Sequence, residues 1–126
     1  MKIKNQKTKE KTTGITDRAY NFSLEIIKVS DSLSGISGNA IANQLVRSAT
    51  SVGANIVEAQ AGSSRKDFTN FLFYALKSAN ETNYWLSLLK DSKKLESSKA
   101  NALITEVCEI ANMLGASVKT LRTKNE

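Results

Sequence analysis

The stretch Gln44–Glu58, QLVRSATSVGANIVE, decides the fold. Leu45, Ala49, Val52, Ile56 and Ala59 recur at spacings of four and three, which puts them on one stripe of a helix and marks the buried face. Gln44, Arg47, Ser51, Asn55 and Glu58 also recur at three and four, so a wholly polar stripe runs beside the apolar one. Aligned donors and acceptors at the edge of a core need partners. Two readings are open. In one, Arg47 pairs with Glu81 or Glu58 and Asn55 bonds a neighbouring helix end, a network that fixes register. In the other, part of the stripe faces an oligomer partner or a nucleic acid, with Arg47 toward phosphate.

Outward from this segment the same periodicity continues. Ala19, Phe22, Ile26, Val29 and Leu33 form a heptad-like seam, which predicts a first helix starting at Thr16 as N-cap, with Asp17 favoured by the positive helix start. Gly35 and Gly38 are read as its end, and Asn39 as the cap of a second helix over 40–61. Gly53, inside that helix, costs about 1 kcal/mol relative to Ala and is expected to mark a close approach or a bend. Ser64, with Asp67 three residues on, approximates a capping box for a third helix. There Phe68, Leu72, Ala75, Ala79, Thr82, Leu86 and Leu89 keep the repeat, while Phe71, Tyr74 and Trp85 widen the apolar arc; only Tyr84 is read as a free aromatic. Ser97 or Ser98 caps a fourth helix carrying Ala100, Leu103, Val107, Ile110, Leu114 and Leu121, with Cys108 packed beside them. Four helices with short connections predict an all-α, up-down-up-down antiparallel four-helix bundle over 15–122, flanked by a mobile basic tail, 1–14, and a short C-terminal tail, 123–126.

The 126 residues suffice for one core, and 40% hydrophobic content with no proline suits helices. The formal net charge of +6 sits at the ends. Lys2, Lys4, Lys7, Lys9, Lys11 and Arg18 face only Glu10 and Asp17, and Lys119, Arg122 and Lys124 face only Glu126, while residues 19–118 are neutral. These nine cations are the candidates for binding RNA or DNA, by neutralising phosphate rather than reading bases. No signal-peptide core or membrane-length apolar run is present, so a cytoplasmic protein with no membrane partner is expected.

Catalytic and metal-binding sets are not found. There is no His, and Cys108 is the single Cys, which removes the commonest general base and the commonest transition-metal ligands. Glu106 and Glu109 have the spacing to share a cation, but no second acidic pair on another helix matches them. The expectation is a non-enzymatic protein without cofactors.

The run Gln44-Leu45-x-Arg47-x-Ala49-x-Ser51-Val52-x-x-Asn55-Ile56-x-Glu58, continued through Ser64, Phe68, Phe71-Leu72, Ala75, Ser78 and Glu81, resembles the four-helix-bundle proteins encoded in intervening sequences of bacterial 23S rRNA genes. That family in turn resembles the accessory proteins of diversity-generating retroelements. The resemblance implies a homo-oligomer, a pentamer, serving a mobile or intervening element, and the basic ends add the expectation of weak, non-sequence-specific nucleic-acid binding. An adaptor or scaffold for a reverse transcriptase or another element-encoded protein is the alternative. The family pattern has Pro where this chain has Gly53, and Gly and Arg after the motif Glu where it has Ala59 and Gly62.

Overall fold

The computed structural model describes residues 14–125; Lys2, Lys4, Lys7, Lys9 and Lys11 lie outside the described residues, as does the side chain of Lys124. Four helices follow one another: α1 (Ile15–Asp31), α2 (Gly35–Ala61), α3 (Arg65–Asp91) and α4 (Ser97–Asn125). Each packs on the next, and α1 meets α4 to close the ring, so the up-down-up-down antiparallel bundle is the observed fold. The α2–α3 and α3–α4 contacts are the most extensive and the α1–α4 contact the least.

Most of each stripe is buried as its spacing requires, while Phe68 at the start of α3 and Leu121 near the end of α4 are half-buried. Ala19, Phe22, Ile26 and Val29 of α1, Leu45, Ala49, Val52, Ile56 and Ala59 of α2, and Leu72, Ala75, Ala79, Thr82, Leu86 and Leu89 of α3 meet Ala100, Leu103, Val107, Ile110 and Leu114 of α4 in one core. Burying each large aliphatic among these removes on the order of 1.5–3 kcal/mol of unfavourable exposure.

Helix starts differ from the sequence reading in three places. Thr16 is not the cap of α1: Gly14 holds that position, and the Arg18 N–H donates to its carbonyl at 3.1 Å. The Thr16 hydroxyl instead accepts from Gln60 Nε2 at 3.0 Å, tying the start of α1 to the end of α2. Asn39 is not the cap of α2 either. The helix opens at Gly35 rather than at position 40, behind an extended Ser34. Gly35 has φ +83°, a left-handed conformation that glycine adopts without steric cost, and it turns the chain straight into α2. Gly38, read as a helix stop, is buried in the first turns.

Ser64 caps α3 as expected, its Oγ accepting from the Asp67 N–H at 3.0 Å. The Asp67 carboxylate accepts from Ser63 Oγ at 3.3 Å, so it is held by the turn itself. Lys93, at φ +63°, closes α3, with the Lys94 and Leu95 N–H groups both donating to the Leu89 carbonyl. Ser97 is already the first residue of α4, so neither Ser97 nor Ser98 caps it: the Ala100 N–H donates to the Glu96 carbonyl at 2.9 Å and Ser98 Oγ donates to the Glu96 carboxylate at 3.1 Å, and the helix continues past position 122 to Asn125.

Candidate functional site

The polar stripe of α2 lies along its seam with α3. Arg47 forms an ion pair with Glu81 and donates through Nη2 to Gln44 Oε1 at 2.9 Å. Glu81 Oε2 also accepts from Trp85 Nε1 at 3.0 Å. Gln44, Arg47, Glu81 and Trp85 thus form one chain of hydrogen bonds across two helices. It is a surface chain: the Arg47 and Glu81 side chains keep 55% and 37% of their exposure. Arg47 therefore has both carboxylate and amide partners within the bundle. Ser51 Oγ donates to the Arg47 carbonyl, and Asn55 Nδ2 to the Ser51 carbonyl. Asn55 therefore does not bond a neighbouring helix end: its amide reaches back one turn within α2. Glu58 is exposed on the same stripe.

Beneath this edge lies a contact that the sequence reading missed. Ser48 and Thr82 are fully buried, and their hydroxyls meet at 2.9 Å between α2 and α3. Thr82 Oγ1 also lies 2.8 Å from the Ser78 carbonyl and Ser48 Oγ 3.3 Å from that of Leu45, so both groups are satisfied. Thr82 falls on the apolar repeat, which signals burial. Ser48 belongs to neither stripe and carries no such signal.

Glu106 and Glu109 do share a cation, and it is Arg18. Arg18 donates through Nε and Nη2 to Glu106 at 3.0 and 2.7 Å, through Nη2 to Glu109 at 2.7 Å, and through Nη1 to Met113 Sδ at 3.5 Å. The hydrogen bonds to Glu106 first and Glu109 second raise the guanidinium pKa further above its ordinary value. Arg18, one of the nucleic-acid candidates, is thereby occupied by a clamp between α1 and α4.

The other basic candidates gather elsewhere. The antiparallel topology brings the entry of the chain at Gly14, the α2–α3 turn and the C-terminal end of α4 to one end of the bundle, as the Thr16–Gln60 bond and a cleft shared by Ile15, Gln60, Phe68 and Ser117 demonstrate. Lys119 and Arg122 are exposed there, joined by Arg65 and Lys66, which the candidate set did not include. The Arg122 guanidinium lies 4.5 Å from the centre of the Phe73 ring, and Lys77 Nζ lies 5.6 Å from it. Tyr74 as well as Tyr84 is exposed on α3, and Tyr20, Leu24 and Ile27 line the outer face of α1. Among the described residues no group of three or more His, Cys, Asp or Glu is arranged to hold a metal, and no helix is long and apolar enough to cross a membrane. Cys108 is half-buried, with Asn83 Nδ2 3.7 Å from its sulfur.

The family model for the 23S rRNA-intervening sequence protein matches residues 11–116. The chain belongs to this family. A solved structure from Bacteroides thetaiotaomicron VPI-5482, a protein of unknown function from the S23 ribosomal protein family, is similar to it with a TM-score of 0.78 and 33% identity, over 84% of this chain and 99% of that one. No curated protein matches significantly. Within the matched span of this 23S rRNA-intervening sequence protein family member, the stretch from Gln44 to Glu81 covers the α2–α3 seam, with Arg47 and Glu81 paired across the helices and Ser64 capping α3.

Proposed function

We propose that the protein is a non-enzymatic homo-oligomer that binds nucleic acid weakly and without reading sequence, as a cytoplasmic accessory of the element encoding it. The observation that carries this reading is the convergence of separate basic stretches on one end of the bundle. Arg65 and Lys66 from the α2–α3 turn and Lys119 and Arg122 from α4 stand where residues 1–13, with five Lys of their own, join the fold. Such a cluster attracts phosphate and releases counterions on binding, so affinity should fall steeply with salt. Self-association is supported by Tyr20, Leu24 and Ile27, an outward apolar stripe at helical spacing on α1. A five-fold ring rests on the resemblance to retroelement accessory proteins.

Titration of labelled RNA and DNA, single- and double-stranded, at two salt concentrations tests the reading. The full chain and a chain lacking residues 1–13 should both show salt-sensitive binding, the shorter one with lower affinity and a smaller salt slope. Failure to bind any probe at low salt removes it. Mass measurement in solution at micromolar concentration tests the oligomer, and a strict monomer excludes a ring.

A second reading is favoured by the α3 surface. Tyr74, Tyr84 and Leu88 are exposed beside a network in which Arg47 is paired with Glu81, so the network itself carries no excess positive charge. Such a surface suits a protein partner, for instance a reverse transcriptase or another element-encoded protein, rather than phosphate. Loss of partner capture on Tyr84→Asp, with nucleic-acid affinity unchanged, would assign the two activities to different faces.

A further inference from the structure

Glu106, Glu109 and Met113 follow one another on α4 at spacings of three and four, and all three side chains reach Arg18 of α1. The carboxylates accept at 2.7 to 3.0 Å, whereas the Met113 sulfur accepts from Nη1 at 3.5 Å. A thioether is a weak and neutral acceptor, so Nη1 has the poorest partner of the three guanidinium nitrogens. Met113 is open to solvent, keeping 38% of its exposure. It also lines the cleft of about 240 Å³ that Ile15 of α1 shares with Ile56 and Leu114. Apart from Met1 it is the only methionine in the chain.

A thioether sulfur open to solvent is a nucleophile toward peroxide. Its lone pair attacks one oxygen of hydrogen peroxide, an S–O bond forms as the O–O bond breaks, and the departing hydroxide takes the proton left on that oxygen to give water. The sulfur is oxidised by two electrons and the peroxide is reduced by two. The product, methionine sulfoxide, puts a polar oxygen where a weak acceptor stood, and hydrogen bonds from a charged donor are about twice as strong as neutral ones. An Nη1–H bond to that oxygen at about 2.9 Å, bent at the oxygen, asks the sulfur to withdraw by only a fraction of an ångström. The rotatable bonds of the side chain turn the oxygen onto the donor whichever face of the sulfur is attacked. We propose that Met113 is a modification site for peroxide, and that its sulfoxide oxygen is bound by Arg18, so that oxidation tightens the α1–α4 seam. A sulfoxide ordinarily disrupts the packing around it; the guanidinium already on this sulfur reverses the sign. The site does not depend on what the basic end of the bundle binds.

The test treats the full chain with hydrogen peroxide and then with a thiol reductant, which returns a reversibly oxidised Cys108 to the thiol. Peptide mass mapping should find one added oxygen at Met113. Unfolding in urea should then be about threefold slower than in the untreated chain, the change expected when a charged donor exchanges a weak acceptor for a strong one. In Arg18→Ala the same oxidation should speed unfolding, because the new oxygen then stands beside an apolar cleft without its donor. Met113→Leu, which keeps Cys108 and Met1, should not respond to peroxide, and a methionine sulfoxide reductase should restore the original rate in the wild type. A second readout needs no variant: exchange of the Arg18 side-chain N–H protons with solvent should slow on oxidation. A Met113 that stays unoxidised while free methionine is consumed overturns the proposal. So does faster unfolding of the oxidised wild type, or an equal response in the wild type and Arg18→Ala. A peroxide response that persists in Met113→Leu gives the effect to another residue and overturns it as well.

Discussion

Along the α2–α3 seam two long apolar stripes meet over a buried hydroxyl pair, and the Arg47–Glu81 ion pair lies at the edge, half in solvent. Across the α1–α4 seam the apolar contact is the smallest of the four, and Arg18, with 27% of its side chain exposed, grips two carboxylates at once. The contrast shows that an ion pair matters in proportion to how little else joins the helices. Where packing is extensive, the pair decorates the edge; where it is thin, a bidentate clamp supplies both orientation and attachment.

Four substitutions can break or sharpen this contrast. The largest effect belongs to the packed seam. Leu86→Ala removes a fully buried side chain from α3 and should cost about 2–5 kcal/mol, read from the urea midpoint. Next comes the clamp: Arg18→Ala should cost about 1–2 kcal/mol, because it also leaves Glu106 and Glu109 facing each other, and the loss should shrink in high salt. A cost below that of the Arg47–Glu81 pair would erase the distinction between the seams. The raised pKa of Arg18 contributes stability below the ordinary arginine value, and since arginine stays charged at every accessible pH, no alkaline transition should arise from it.

Gly53→Ala comes third, and it should stabilise. A Cβ there would stand 3.6 Å from that of Ala19, ordinary van der Waals contact, so up to about 1 kcal/mol of helix propensity is gained. Gly115→Ala, with nothing within 4 Å, serves as the unpacked control; a melting temperature lowered only by the first would mean that α1 and α2 tolerate no closer filling. Smallest is Glu81→Ala. A buried pair would make this loss about 3 kcal/mol or more, but with both side chains partly in solvent it should be about 0.5–1 kcal/mol. A double-mutant cycle with Arg47→Ala should return a coupling of the same size.

These seams also explain what the sequence disclosed. Apolar repeats at three and four are a property of one helix, so Leu45 to Ala59 and Leu72 to Leu89 reveal their buried faces without knowledge of any neighbour. The Ser64 cap is equally local, since donor and acceptor are three residues apart. Gly35 misled because glycine both ends helices and permits the left-handed turn that here begins one. Glu106 and Glu109 were legible as a pair seeking a cation, but the cation is on α1 and only ring closure brings it near. The basic end was half legible: Lys119 and Arg122 stood out as terminal charge, whereas Arg65 and Lys66 join them only because the turn that carries them folds to the same end. The exposure of Arg47 and Glu81 depends on how the two helices are rotated against each other, which neither stripe specifies by itself.

Arg18 and Glu106 are 88 positions apart in the chain. Closing so long a loop is entropically costly, and the locally connected pairs α1–α2, α2–α3 and α3–α4 can form first. The clamp should then be absent from the folding transition state, so Arg18→Ala should leave the folding rate nearly unchanged and show its whole effect as faster unfolding. Arg18 in that case acts as a latch on lifetime, setting how long α1 stays shut against α4 rather than how quickly the bundle assembles.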